Sequence, residues 1–478
     1  MRTGGRALLG LVAGLSLTAC QTMPGAERQF DAAQAALDTH IRVLSGDDYG
    51  GRQPGTEGGR KTEQYLVDAL QSYGYAPGAG DGEWRQPVEL VRYSPAEAKV
   101  TLMSGDETRI VEGDLLVVSG PPQDLLDLPV ERIAADEAVR EGALSGKAAL
   151  LDAADARGLF AEVNGGAPDA IVLQAATSEE FEQFSRFVSG GRWQLNDDEE
   201  AQPPIAVLSP EFAAFTAPGE SPLSISVESR PSIQSVETAN VIGRLAGNVP
   251  GSGAVLVLAH WDHLGECGSE GDEDRLCNGA VDNASGIGVM LETARRIALQ
   301  GGLDRDLYIV GTTAEEIGLL GAEAFARDPP LPLPTIVAAF NIDTVAIAPR
   351  GASTTVVGWG RTPLDEDIRV VVEGLDRKFK VDEYTEQFVR RQDGWALLSR
   401  DVPAVLVSTS FGDAKAFGAF LSGAYHGPND EWREDLELGG ATDDIFTHIA
   451  LLQHFGSVQK YQPGERTEGA PAADNGDE

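Results

Sequence analysis

Residues 306–325 read DLYIVGTTAEEIGLLGAEAF. An apolar run, Leu307 to Val310, ends in a polar turn that delivers two adjacent carboxylates, Glu315 and Glu316, ahead of a glycine-bearing helical pattern. Strand, turn and helix in that order form the repeating unit of an α/β sheet. Two like charges side by side are costly unless a cation lies among them and their neighbours. The stretch therefore points to a sheet whose strand ends gather acids around a positive charge.

The same rhythm continues on both sides of it. From Asn240 onward apolar strands such as AVLVLAH (254–260), IVAAFNID (336–343) and PAVLVST (403–409) alternate with helical stretches such as GIGVMLETARRIALQ (286–300). That alternation predicts an α/β fold, a mixed and mostly parallel sheet sandwiched by helices. In such sheets ligands gather outside the carboxyl ends of the strands. AHWDHLG, TTAEE and NIDT all fall there. Upstream, AERQFDAAQAALDTHIRVLSG and GGRKTEQYLVDALQSYGY show helical spacing around a turn-rich joint. Between 97 and 236 short strands separated by acidic or glycine-rich turns predict a β-rich inserted domain. The catalytic domain is accordingly expected over 27–96 and 237–462, with a disordered acidic tail over 463–478.

At 478 residues the chain is too long for one ordinary core. Its 37 basic and 75 acidic side chains give a net charge of -38, which argues against a nucleic-acid partner. Residues 1–20 read as an export signal: Arg2 and Arg6 precede an apolar run too short to span a bilayer permanently. Its end, LTAC, resembles the lipobox of bacterial lipoproteins, which implies acylation of Cys20 and a membrane anchor; Gln21 after it leans towards the outer membrane. An ordinary signal peptide with an incidental cysteine is the alternative. The remaining Cys267 and Cys277 are expected to form a disulfide, with thiol ligation of zinc as the rival.

Of six histidines, His40, His448 and His454 lie on helical patterns and read as packing or surface groups. His260, His263 and His426 lie in loops. Asp262, Asp282, Glu315, Glu316 and Asp343 each follow an apolar run or precede a helix. Asp282 alone could equally be a helix cap. Jointly the acids and histidines call for a common cation, and imidazole with carboxylate suits zinc, two ions sharing a bridging carboxylate. A proton carrier that is not itself a ligand is also needed, and adjacent glutamates, whose side chains diverge, can divide those roles.

AHWDH (259–263), VDNASG (281–286), AEEIGLLGAEAF (314–325), FNIDTV (340–345) and YHGPND (425–430) together resemble the zinc-dependent exopeptidases related to bacterial leucyl aminopeptidases and aminopeptidase Y. GGRQPGTEGG (50–59) and NVIGRLAG (240–247) extend the resemblance, and LSGKAALLDAADARGLFAEVNGGAPDAIVLQ (144–174) resembles a protease-associated domain. The resemblance implies two zinc ions per chain, one held by His260, Asp282 and Asp343, the other by Asp282, Glu316 and His426. It implies Glu315 as general base, Tyr425 as a donor to the oxyanion, and Asp262 and Asp430 as supports of His260 and His426. Peptides with a free amino terminus would be the substrates. Relatives carry Ser-Asp-His or Ser-Asp-Gln where this chain has RRQDGWALLSRDVPAVLV (390–407); Asp393 and Trp395 are kept, so the change concerns side-chain specificity. A carboxypeptidase or dipeptidase using Arg390 or Arg391, a glutaminyl cyclase and a non-catalytic peptide-binding ectodomain are the competing readings. Oligomeric state is left open.

Overall fold

The frame in the computed structural model consists of β1 (Arg85–Ser104), β2 (Leu223–Leu245), β3 (Ala254–His260), β4 (Asp306–Thr312), β5 (Ile336–Asn341), β6 (Thr355–Val357) and β7 (Ala404–Ser408). The structure describes residues 24–463 except 136, 137, 141, 197–201, 220, 269, 270 and 272. The expected leader with Cys20, and the tail beyond Pro463, lie outside the described residues. Among the described residues no helix is long and apolar enough to cross a membrane.

The central sheet runs β6-β7-β5-β3-β4-β2. Its centre is parallel, β3 pairing with β4 and β5, and β5 with β7, while β2 and β6 run antiparallel at its flanks. β3, β5 and β7 are buried along their whole length, which is why they read as unbroken apolar runs. Alternation divides β3 between two cores. Val255, Val257 and Ala259 face a core shared with α1 (Pro24–Leu44), α2 (Glu57–Ser72), α3 (Gly286–Leu299) and α5 (Gly439–Phe455). Ala254, Leu256 and Leu258 face the other, closed by Phe325 of α4 (Leu320–Arg327) and by Leu397.

β1 and β2 form one antiparallel ribbon paired from Arg85 with Val241 to Ser104 with Leu223, irregular only between Arg230 and Ser232. The expected domain boundaries at 96/97 and 236/237 thus fall inside continuous strands. Beyond the ribbon the insert is more than β-rich. Its strands Gln123–Arg132, Ala148–Asp152, Ala170–Gln174 and Ile205–Leu208 pair in parallel in that order, and the helices Ala156–Gly165 and Ser178–Ser189 accompany them. The runs AALL and AIVL in two of these strands are apolar because both faces are covered, by separate clusters around Leu151 and Leu150. The turn-rich composition of the segment obscured its short helices.

Candidate metal centre

The ends of β3, β4 and β5 bring His260, the Glu315–Glu316 pair and Asp343 to one edge of the sheet, as a parallel arrangement requires. Asp282 arrives just ahead of α3, and His426 from the loop between β7 and α5. His260 Nε2 lies 3.3 Å from Asp282 Oδ1 and 3.3 Å from Asp343 Oδ1. His426 Nε2 lies 3.4 Å from Asp282 Oδ2 and 2.9 Å from Glu316 Oε2. One aspartate thus turns a different oxygen towards each of two histidine–acid groups. A tetrahedral ion with ligands about 2.0 Å away holds its ligand atoms about 3.3 Å apart. The spacing therefore fits two small cations with Asp282 between them, and the nitrogen and oxygen donors suit zinc.

His263 joins the cluster, although no role for it was read from the sequence. Its Nδ1 is 2.5 Å from Glu316 Oε1, and its buried Nε2 has no hydrogen-bond partner among the described residues. His263, Asp282 and Glu316 also offer donor atoms mutually within 4.8 Å, so the second group has two imidazoles to choose from. The histidine–x–x–histidine spacing of HWDH was the available signal. His40 Nδ1 instead meets the Tyr65 hydroxyl at 2.7 Å, His448 Nδ1 the Asp444 carbonyl at 2.8 Å, and His454 Nε2 Asp367 at 2.6 Å.

Buried polar groups fix the loops. Asp262 accepts the N–H of Glu315 at 3.2 Å and of Glu316 at 3.4 Å, so its carboxylate ties β3 to the glutamate pair. It also stands 3.8 Å from His260 Nδ1, which is nearer the Asp262 carbonyl at 3.2 Å. Asp430 accepts from the N–H of Val281 at 2.9 Å and of Asp282 at 3.0 Å. It therefore positions the Asp282 backbone, whereas the resemblance implied a role at His426. Asn283 takes the capping role considered for Asp282: its Oδ1 accepts from Gly286 at 2.9 Å and Thr344 at 3.2 Å, while its Nδ2 donates to Ile342 at 3.0 Å. That leaves the Asp282 carboxylate free. Gly279 has φ +58, and a Cβ there would meet the Asp282 carbonyl at 2.0 Å and the His263 ring at 2.6 Å, so only glycine fits.

Arg52, fully buried, has no carboxylate partner among the described residues and spends its donors on backbone carbonyls. It reaches Trp261 at 2.8 Å, Leu44 at 2.9 Å, Asn278 at 2.6 Å and Gly279 at 2.9 Å. One guanidinium thus holds the loops that carry His260 and Asp282. Its sequence signal was the GGR of GGRQPG, whose role could not be read without the contacts.

Electrostatics mark the cluster as incomplete without cations. Burial pushes Glu315 well above the usual carboxylate range, and Asp343, Glu316 and Asp393 add to the rise while His260 opposes it. Burial would raise Asp282 too, but hydrogen bonds from His260 and His426 outweigh it and hold the group well below that range. Burial disfavours the charged form of His426, yet Asp282 and Glu316 carry it up to about 10. Asp262 is pushed up to about 7 and Asp430 to about 6, in both cases first by burial. Asp393, touching Thr312, is pushed up to about 6 by burial, and its Oδ1 has no partner among the described residues.

These values set the pH behaviour of the metal-free protein. Asp262, Asp393 and Asp430, with the buried Asp444 at about 7, all lie above the ordinary aspartate value of about 3.9. The native state therefore binds more protons than the unfolded chain between those limits, and its stability is lost as pH rises through 6 to 7. His260 and His426, also raised, act in the same direction at higher pH. In chelator the melting temperature is expected to fall from about pH 6.5 to 7.5, above the range in which the lowered His40 and His448 act in the opposite direction, and zinc to raise it more at the upper value. A metal-free protein that melts higher at the upper pH would contradict this.

The disulfide between Cys267 and Cys277, Cα atoms 5.8 Å apart, lies against the site, with the Cys267 sulfur 3.5 Å from the His426 carbonyl. Closing that loop contributes about 3 kcal/mol by loop entropy. Reduction, or Cys267→Ser with Cys277→Ser, is expected to lower the melting temperature and weaken retention of the metal near His426. Unchanged melting and metal retention would sink that role.

Residues 240–450 match the profile described as Peptidase family M28. No curated protein matches the chain in sequence. Among solved structures, the aminopeptidase from Aneurinibacillus sp. strain AM-1 is similar with a TM-score of 0.53 and 17% identity, over 90% of this chain and 95% of that one. BSAP, a zinc aminopeptidase from Bacillus subtilis, gives 0.48 and 17% over 90% and 97%. A peptidase M28 precursor from Shewanella amazonensis gives 0.46 and 17% over 91% and 96%. The first likeness shows the fold, and the matched segment contains every member of the acid and histidine cluster. Over residues 240–450, the segment that holds the whole cluster, the chain is thus similar to peptidase family M28, which supports a metallo-exopeptidase.

Proposed function

We propose that the chain is a di-zinc aminopeptidase that removes amino-terminal residues from peptides. The observation that carries this is Asp282, whose two oxygens face two separate histidine–acid groups. His260, Asp282 and Asp343 would hold one ion, and Asp282, Glu316 and His426 the other, with His263 orienting Glu316. Bound there, the zinc pair supplies Lewis acidity towards a peptide carbonyl and water activation near neutral pH.

The chain's own groups do the rest. Glu315, next to the ligand Glu316 but aimed elsewhere, takes the proton of the attacking water and passes it to the departing amine. Tyr425 stacks on His426 with ring centroids 3.7 Å apart, and burial, with the acids around it, raises its pKa, so the phenol keeps its proton and donates to the developing oxyanion. Carboxylates not neutralised by metal attract the substrate ammonium. A recess of about 30 Å³ beside Asp343 and Tyr425, walled by Phe388, Phe411 and Phe417, receives a small apolar first side chain. We further propose export as a lipoprotein anchored through Cys20, and a protease-associated role for the insert.

Arg391 also lines that recess, which favours the carboxypeptidase reading as second choice; Arg390 instead lies over Trp395 at 5.1 Å. Aminoacyl chromogenic amides and their acetylated counterparts separate the two. Cleavage of the free-amine set alone, abolished by chelator and restored by zinc, is expected. Release of carboxyl-terminal residues from blocked peptides, with no cleavage of free-amine amides, would reverse the direction assigned here.

A further inference from the structure

Two cavities meet the acid and histidine cluster at different ends. The small recess touches it through Asp343, a member of the first group only. A larger cavity of about 330 Å³ touches it through His263 and Glu316, which belong to the second. A peptide lying across the cluster therefore has a small pocket at one end and a roomy one at the other. Only the larger cavity can take the part of the substrate that extends beyond the cleaved bond.

The far wall of that cavity comes from the ribbon and its neighbour. Arg92 on β1 pairs across the ladder with Gln234 on β2 and, on its other side, with Trp193 of the strand Arg192–Leu195, and all three line the cavity. The Arg92 guanidinium lies 5.5 Å from the centre of the Trp193 ring, and its Nε donates to the Gly190 carbonyl at 3.0 Å. Nη2 shares that carbonyl, whereas Nη1 has no hydrogen-bond partner among the described residues. In a chain with 75 acidic side chains against 37 basic ones, Arg92 has no carboxylate partner among the described residues. It is half-buried, held by the ladder and the indole, and presented to a cavity that opens on the reacting centre.

We propose that this cavity takes the carboxyl-terminal end of a short peptide, Arg92 receiving its carboxylate, so that the preferred substrates are peptides of a few residues with a free carboxyl end. This rests on the aminopeptidase reading. A guanidinium with donors to spare matches a carboxylate, and a charge-assisted bond of that kind is among the strong ones. A carboxylate held at Arg92 would also select length, because His263 and Glu316 lie across the same cavity and each extended residue adds about 3.3–3.6 Å.

The test compares Leu-Gly, Leu-Gly-Gly and Leu-Gly-Gly-Gly as free acids and as carboxyl-terminal amides with the zinc-loaded protein. At one length the free acid is expected to exceed its amide in kcat/KM by roughly tenfold, mainly through KM. Arg92→Gln should bring that ratio close to one, and Arg92→Lys should keep most of it. A ratio near one at every length in the unmodified protein, or a ratio that survives Arg92→Gln, would overturn the proposal while leaving the aminopeptidase reading intact. Failure to cleave any of these free-amine peptides would overturn that reading and this one with it.

Discussion

Glu315→Gln is expected to bind metal as the unmodified protein does and to lose kcat by roughly 10³-fold. The substitution keeps the shape and removes the basic oxygen, so the water loses its proton acceptor and the departing amine its donor. Metal retention is expected because the contacts among the donor atoms run through Glu316, His260, Asp282, Asp343 and His426, and none through Glu315. Metal analysis beside turnover on a free-amine substrate decides it. Near-normal kcat would remove Glu315 as the base, and loss of metal would make it a ligand.

Asp282→Ala has the larger structural consequence. Its Oδ1 faces His260 and its Oδ2 faces His426, so removing one side chain takes a donor from both groups. It also leaves His260, Asp343, Glu316 and His426 crowded without a shared centre. Metal content should fall for both ions together and activity should drop below detection, whereas Asp343→Ala should spare the ion near His426. A variant that still held two equivalents of zinc would show that Asp282 is not the bridge.

Much of this site was legible because its members sit at the ends of apolar strands. The unbroken apolar runs of β3 and β5 marked the sheet, and His260 and Asp343 lie where those runs end. What the sequence could not show were groups whose work depends on partners far along the chain. Arg52 acts on the loop of Asn278 and Gly279, and Asp430 on Asp282, contacts that no local pattern encodes. His263 was visible as a residue but not as a neighbour of Glu316, because the turn after β3 decides where it points. The insert was less legible still. The expected boundaries were drawn where composition changed, whereas β1 and β2 stay paired on both sides of that change, with one register shift between Arg230 and Ser232.

That paired ribbon decides how the insert can behave. A domain attached by flexible linkers can swing as a lid, but here the attachment is an antiparallel ladder with a single register shift between Arg230 and Ser232. Bending it at Arg92 and Gln234 would break sheet pairing as well as move a wall. The wall that carries Arg92 is therefore set by strand register, and a one-residue slip in that register would turn Arg92 to the opposite face of the ribbon. Insertions or deletions in the ribbon should accordingly act on substrate choice even where every metal-binding group is untouched.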